Sequence, residues 1–101
     1  MAKFIINNLV YDTEKMERVA EVEKVYPCED SLWDKLLYHG QLYRRYKCDL
    51  YRSKKGRFLL TRKNNIGDMY GEAIEETEAK QLLMQYDYDT YTQLFGELDE
   101  A

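Results

Sequence analysis

Nine lysines and arginines fall within residues 44–63, against a single carboxylate, Asp49. Tyr46 and Tyr51 are interleaved with them. Cations that neutralise phosphates, set beside rings on which bases can stack, are the chemistry of a nucleic-acid surface. The same residues would also suit an acidic groove on a protein, or would simply keep a packed hairpin soluble and guard a sheet edge. Arg45, Lys47, Tyr51, Arg52, Lys54, Lys55, Arg57, Arg62 and Lys63 are therefore the candidate partner-binding set. Catalytic chemistry has weaker grounds. His39 is the sole histidine and sits beside Gly40, which suits a surface bend better than the base of a Ser or Cys dyad. Asp87 and Asp89 open like a calcium loop, but Thr92 stands where glycine is needed and Leu98 where the bidentate Glu belongs. Gly67-Asp68-Met69-Tyr70-Gly71 lacks the lysine and spacing of a phosphate-binding loop. No catalytic residue, cofactor or metal is expected.

The element that must position the cations is a β-hairpin over residues 43–63, with Lys54-Lys55-Gly56 at its turn. Gly56 supplies the positive φ that a type I turn with a bulge requires. That turn pairs Arg52 with Phe58, Leu50 with Leu60 and Cys48 with Arg62. Side chains alternate along a strand. One face then carries Tyr46, Cys48, Leu50, Phe58 and Leu60 and reads as core. The other carries Arg45, Lys47, Asp49, Tyr51, Arg57 and Leu59 and reads as solvent or partner surface.

A chain of 101 residues with 45% hydrophobic and 34% charged residues is long enough for one modest core, so a single domain over 1–101 is expected. Ten tyrosines supply amphipathic area of use in thin cores and at interfaces. The net charge of −4 hides a segregation: residues 1–43 carry −3, residues 44–63 carry +8 and residues 64–101 carry −9. If the acidic third folds back on the hairpin the charges cancel. If not, it forms a second surface able to imitate nucleic acid. Cys28 and Cys48 are too few and too distant for a disulfide framework or zinc site and read as free thiols of a reducing cytosol. No apolar run reaches signal or membrane-span length.

Along the chain, Phe4-Ile5-Ile6 and Leu9-Val10-Tyr11 flank Asn7-Asn8, predicting a small opening hairpin. Asp12 or Thr13 then caps a predicted helix reaching Lys24, with Met16, Val19 and Ala20 at helical spacing and Glu14 one turn from Arg18. Residues 27–31 read as loop. In residues 32–42, Leu32, Trp33, Leu36 and Leu37 suit a helix after a Ser31 cap and Lys35-Leu36-Leu37-Tyr38 suits a strand equally well; a strand beside the basic hairpin is the expectation, with His39-Gly40 a bend. Residues 63–71 read as loop, and 72–75 as a short edge strand. Thr77 caps a helix with Ala79, Leu82, Leu83 and Tyr86 on one face. Asp87 or Asp89 caps a last helix with a Tyr91, Leu94, Phe95 stripe, stopped by Gly96. The expected class is α+β: a small antiparallel meander with a central basic hairpin, packed with one N-terminal and two C-terminal helices.

Several segments together carry a resemblance. Tyr11-Asp12-Thr13-Glu14-Lys15 follows a short apolar strand, and Leu50-Tyr51-Arg52-Ser53-Lys54-Lys55-Gly56-Arg57-Phe58-Leu59 forms an LYR-[ST]-KKG-x-[FW]-[FL] box. Thr77-Glu78-Ala79-Lys80 and a terminal Leu94-Phe95-Gly96-Glu97 follow. This order resembles small phage and mobile-element proteins of Gram-positive bacteria, some of them anti-CRISPR inhibitors of type II effector nucleases. Those proteins usually follow the hairpin with a Gly-rich loop and an aromatic, whereas Thr61-Arg62-Lys63-Asn64-Asn65 is basic and polar here. The resemblance implies a non-enzymatic inhibitor in the bacterial host cytoplasm, partnered with a CRISPR effector nuclease or its guide-RNA complex and without a membrane role. The alternative is a nucleic-acid-binding accessory protein of the element, contacting RNA or DNA through the basic hairpin.

Overall fold

A computed structural model describes residues 3–27, 43–63 and 67–98. The expected strand over 32–42, the expected 27–31 loop apart from Pro27, the bend at His39-Gly40, Cys28 and the Asn64-Asn65 turn lie outside the described residues; Pro27 is not loop but the last residue of a strand, paired with Tyr43. Six strands and two helices are present among those described: β1 (Lys3–Ile6), β2 (Leu9–Asp12), β3 (Glu17–Pro27), β4 (Tyr43–Arg52), β5 (Phe58–Lys63), β6 (Met69–Ile74), α1 (Glu76–Tyr86) and α2 (Tyr88–Phe95). β3-β4-β5-β6 form an antiparallel meander, and β1-β2 a separate two-stranded hairpin. The class is α+β, and no described helix is long and apolar enough to cross a membrane.

Local turn chemistry shapes both hairpins. Asn7 and Asn8 have φ of 52° and 64°, the double positive φ of a two-residue hairpin loop. At the basic tip the Ser53 N–H donates to the Arg57 carbonyl at 2.8 Å and the Gly56 N–H donates to the Ser53 carbonyl at 2.9 Å. Gly56 takes φ 83°, and the Arg57 N–H donates to Ser53 Oγ at 3.0 Å. The ladder behind the tip pairs Arg52 with Phe58 and Leu50 with Leu60, as expected, and ends at Asp49–Thr61. The expected Cys48–Arg62 pair is not part of it, because beyond Asp49 strand β4 pairs only with β3.

The expected N-terminal helix is instead the long strand β3. A register shift between Arg18 and Ala20 makes Val19 an extra residue in the ladder. Val19 and Ala20 then both reach the core, and this bulge imitates the i, i+3, i+4 spacing of Met16, Val19 and Ala20. Past it the pattern is period two: Ala20, Val22, Lys24 and Tyr26 face inward, all buried or half-buried, while Glu21 and Val25 are exposed. Tertiary context overrides the helical propensity, since β4 offers ten residues of unpaired backbone. Asp12 caps a turn rather than a helix, its Oδ1 accepting from the Glu14 N–H at 3.0 Å. Arg18 pairs with Asp49 Oδ1 at 2.8 Å and with Glu21 at 3.8 Å, not with Glu14.

The C-terminal third follows expectation more closely. The edge strand is longer than 72–75, running Met69–Ile74, so part of the expected loop is strand. Helix α1 begins after Glu75 without a side-chain cap, so Thr77 does not cap it. Asp87 does cap α2, accepting from the Thr90 N–H at 3.2 Å and the Thr90 hydroxyl at 2.7 Å. Ala79 and Leu83 of α1 and Tyr91 of α2 are buried against Ala20, Val22, Cys48, Leu50, Phe58 and Leu60. The helices therefore cover the inner face of the sheet.

The outer face is not simply solvent. Leu59 and Thr61 are almost fully buried there, and the β1-β2 hairpin packs on that face through β1 against β6. Gly71, the register partner of Thr61, makes that approach possible, since a Cβ at Gly71 would lie 2.5 Å from the Phe4 ring. The protein is thus helices, sheet and a small hairpin in three layers. Gly71→Ala is expected to lower stability by about 1–3 kcal/mol in urea melts, and most of that cost should vanish in a Phe4→Ala background. The buried Thr61 hydroxyl has no partner among the described residues. Thr61→Val should raise stability by about 1 kcal/mol, read from the same melts.

Candidate functional site

The candidate cations do not form one surface. Sheet geometry divides them into four settings. Lys54 and Lys55 occupy the turn of the tip and are exposed, as is Arg57 just after it. Arg52, at the base of the tip, is half-buried. None of these four has an ion pair among the described residues. Lys47 and Lys63 line a shallow groove of about 410 Å³ with Glu21, Asp49, Thr61 and Met69. Arg45 lies 3.8 Å from Glu23 Oε2, a loose and largely exposed pair. Tyr51 is half-buried between Arg18 and Leu59 in the ladders.

Arg62 has a different fate. Its guanidinium carbon lies 4.1 Å from the Tyr26 ring centroid, 4.7 Å from that of Tyr70 and 5.0 Å from that of Tyr46. Tyr26 and Tyr46 meet edge to face at 6.0 Å. The four residues come one each from β3, β4, β5 and β6, on the inner face beyond the helices. Arg62 is therefore packed within the protein by cation–π contacts, each worth about 0.5–2 kcal/mol according to how far it is desolvated.

Next to this cage lies an ion cluster. Lys24 Nζ sits 2.8 Å from Glu72 Oε1 and 2.9 Å from Glu78 Oε1, and the Tyr26 hydroxyl donates to Glu72 Oε2 at 2.6 Å. Burial alone would raise the Glu72 pKa, but hydrogen bonds from Lys24 and Tyr26 hold it below the ordinary carboxylate value. Burial works against the Lys24 charge, and the hydrogen bonds to Glu72 and Glu78 outweigh it, raising Lys24. Tyr26 is pushed far up by burial and by its bond to Glu72. Cys48 beneath the cluster is a free, buried thiol, pushed up mainly by burial. Its Sγ donates to the Tyr46 carbonyl at 3.6 Å.

The tip itself borders a cleft of about 780 Å³. One wall is Ser53, Lys54, Lys55 and Arg57. The other is β1, β2 and the turn that follows, which bring Lys3, Leu9, Val10, Lys15 and Met16. Five cations and two carboxylates line it, and one of those carboxylates, Asp12, is committed to capping its turn. A smaller depression of about 430 Å³ on the same side adds Arg52 and Glu17. Lys3 and Lys15 were missed by the sequence reading because they belong to a segment of net negative charge, and only the docking of the N-terminal hairpin brings them to the tip. No local signal marks them. Among the described residues, no group of three or more His, Cys, Asp or Glu is placed to hold a metal ion. No protein-family model, curated protein or solved structure matches the chain.

The ion cluster sets a pH dependence. A depressed Glu72 pKa gives stability that is complete above the unfolded value of about 4.3 and is lost as pH falls through the folded value. Raised Lys24 and Tyr26 give stability complete below about 10 and lost as pH rises. Glu72→Gln should therefore destabilise most between about pH 5 and 9, and its urea midpoint should converge on that of the unaltered chain at both extremes. A pH-independent gap would refute the coupling.

Proposed function

We propose that this chain is a non-enzymatic inhibitor carried by a phage or other mobile element. It acts in the bacterial cytoplasm by binding a CRISPR effector nuclease or its guide-RNA complex through the basic tip. One observation carries the reading. In a protein of net charge −4, Arg52, Lys54, Lys55 and Arg57 have no ion-pair partner among the described residues, and the last three are exposed. Acidic residues of α1 neutralise Lys24 and approach Lys80, leaving the tip untouched. Cations left uncompensated beside a concave surface favour a polyanionic partner. Steric occlusion asks only for affinity and place, which such a tip can supply. The resemblance of the LYR-x-KKG and YDTE boxes to mobile-element inhibitors supplies the partner class.

The runner-up is a nucleic-acid-binding accessory protein of the element. The convergence of cations from three chain segments favours it, because free RNA or DNA needs nothing further. A third arrangement, in which exposed acids such as Glu75, Glu76, Asp89 and Glu97 imitate nucleic acid, would leave the tip without a role.

Reversing charge at Arg52, Lys54, Lys55 and Arg57 tests these readings. The altered chain should keep its circular dichroism spectrum but lose inhibition of DNA cleavage by a guide-loaded type II effector by at least about 100-fold, if each lost contact contributes about 0.7 kcal/mol or more. Retained inhibition by the reversed chain would shift the contact to the acidic helices. Failure of the unaltered chain to inhibit, with salt-sensitive binding to free oligonucleotides, would select the accessory role.

A further inference from the structure

We infer that the cleft between the basic tip and the N-terminal hairpin is a seat for one strand of nucleic acid, holding phosphates at its rim and a base against its apolar floor, and that it does not take a duplex. The inference rests on the proposed reading of the tip as a polyanion contact and names the form of that polyanion.

The first reason is shape. A β-ribbon can enter the major groove of a duplex, about 12 Å wide, when it stands clear of its surroundings. Here the ribbon tip is flanked by β2 and by the turn that carries Lys15 and Met16, so the cations lie around a hollow rather than along a projecting finger. A volume of about 780 Å³ is in the range that holds a small organic group. A convex duplex could touch the rim but could not fill it.

The second reason is the distribution of chemistry. Lys54, Lys55 and Arg57 stand on one wall and Lys3 and Lys15 on the other, with Leu9, Val10 and Met16 beside the latter as the apolar floor. Val10 is 67% exposed, an apolar surface left in water. Cations around an apolar floor match a phosphodiester strand whose bases have been unstacked. Tyr11 is only 6% exposed and offers no ring face, so the floor can cover a base without reading it. Binding governed by charge, with little sequence preference, follows.

The third reason separates this ligand from an acidic peptide. Extended peptides gain affinity by pairing with unsatisfied main-chain groups. At the base of the tip and in the turn after β2 those groups are already used. The N–H groups of Ser53, Gly56 and Arg57 are bonded within the tip, and those of Glu14 and Lys15 are bonded to Asp12. Those two segments offer side-chain charge, which serves a phosphate backbone better than a polypeptide one.

The test is fluorescence anisotropy with a labelled oligouridine of about 12 nucleotides, a length suited to a single small site. A duplex of equal length and an oligoglutamate peptide serve as comparisons. The single strand should bind at least about tenfold more tightly than either. Lys3→Gln with Lys15→Gln, both outside the basic hairpin, should weaken it several-fold and lower the salt slope by about 1.4, at about 0.7 per phosphate contact. Lys3→Arg with Lys15→Arg should restore both, which shows that charge and not folding is responsible. Val10→Asp should weaken the single strand further. Equal or tighter binding of the duplex or the peptide, or no effect of the two glutamines, would overturn the inference. If the oligonucleotide fails to bind while the guide-loaded effector is still inhibited, this inference falls and the proposed function stands. If neither interaction occurs, both fall.

Discussion

Lys24 and Glu72 stand on the two outer strands of a four-stranded sheet, yet their charged atoms lie 2.8 Å apart. Three strand spacings of about 4.8 Å would separate them by about 14 Å across a flat sheet, more than the two side chains span. The sheet must curl for them to meet, and the Tyr26 hydroxyl reaches the same carboxylate across the same gap. Because Glu72 is partly open to water, the pair adds only modestly to stability. Its significance is geometric: it shows the concavity of the inner face. The helices fill that concavity at one end, and Arg62 with its three tyrosines fills it at the other.

That curl determines which charges are available. Residues alternate inward and outward along β4 and β5, so a curled sheet turns some cations into the protein and leaves others out. Arg62 is turned in and spends its charge on aromatic rings. Lys54 and Lys55 escape because they belong to the turn, where alternation ends, and Arg57 because it follows directly on it. The acidic helix α1 meets Lys24 rather than the tip, so the segregation of charge in the chain survives folding.

What could be read from the chain is what local chemistry decides. Asn7-Asn8, the Lys54-Lys55-Gly56 turn, the Asp87 cap and the Gly96 stop each act over four or five residues, and each is found where expected. The tip cations followed from that turn. The segment Glu17–Pro27 could not be read the same way. Its bulge puts Val19 and Ala20 on one side, its inward Lys24 looks polar until Glu72 and Glu78 are brought to it, and its strand partners lie between 16 (Pro27–Tyr43) and 35 (Glu17–Arg52) residues away. Lys3 and Lys15 were equally hidden, because their proximity to the tip depends on Phe4 finding the bare backbone of Gly71.

That last contact has a further consequence. An isolated two-stranded ribbon is marginal in water, so β1-β2 keeps its shape only while it rests on the sheet. Half of the cleft is mounted on this tenant layer. Whatever bridges the two walls also pins the layer down, so occupancy and docking are thermodynamically linked. A bound chain would protect the amides of β1 and β2 from exchange with solvent, and loosening the Phe4 foothold would be felt as lost affinity by a ligand that never touches it.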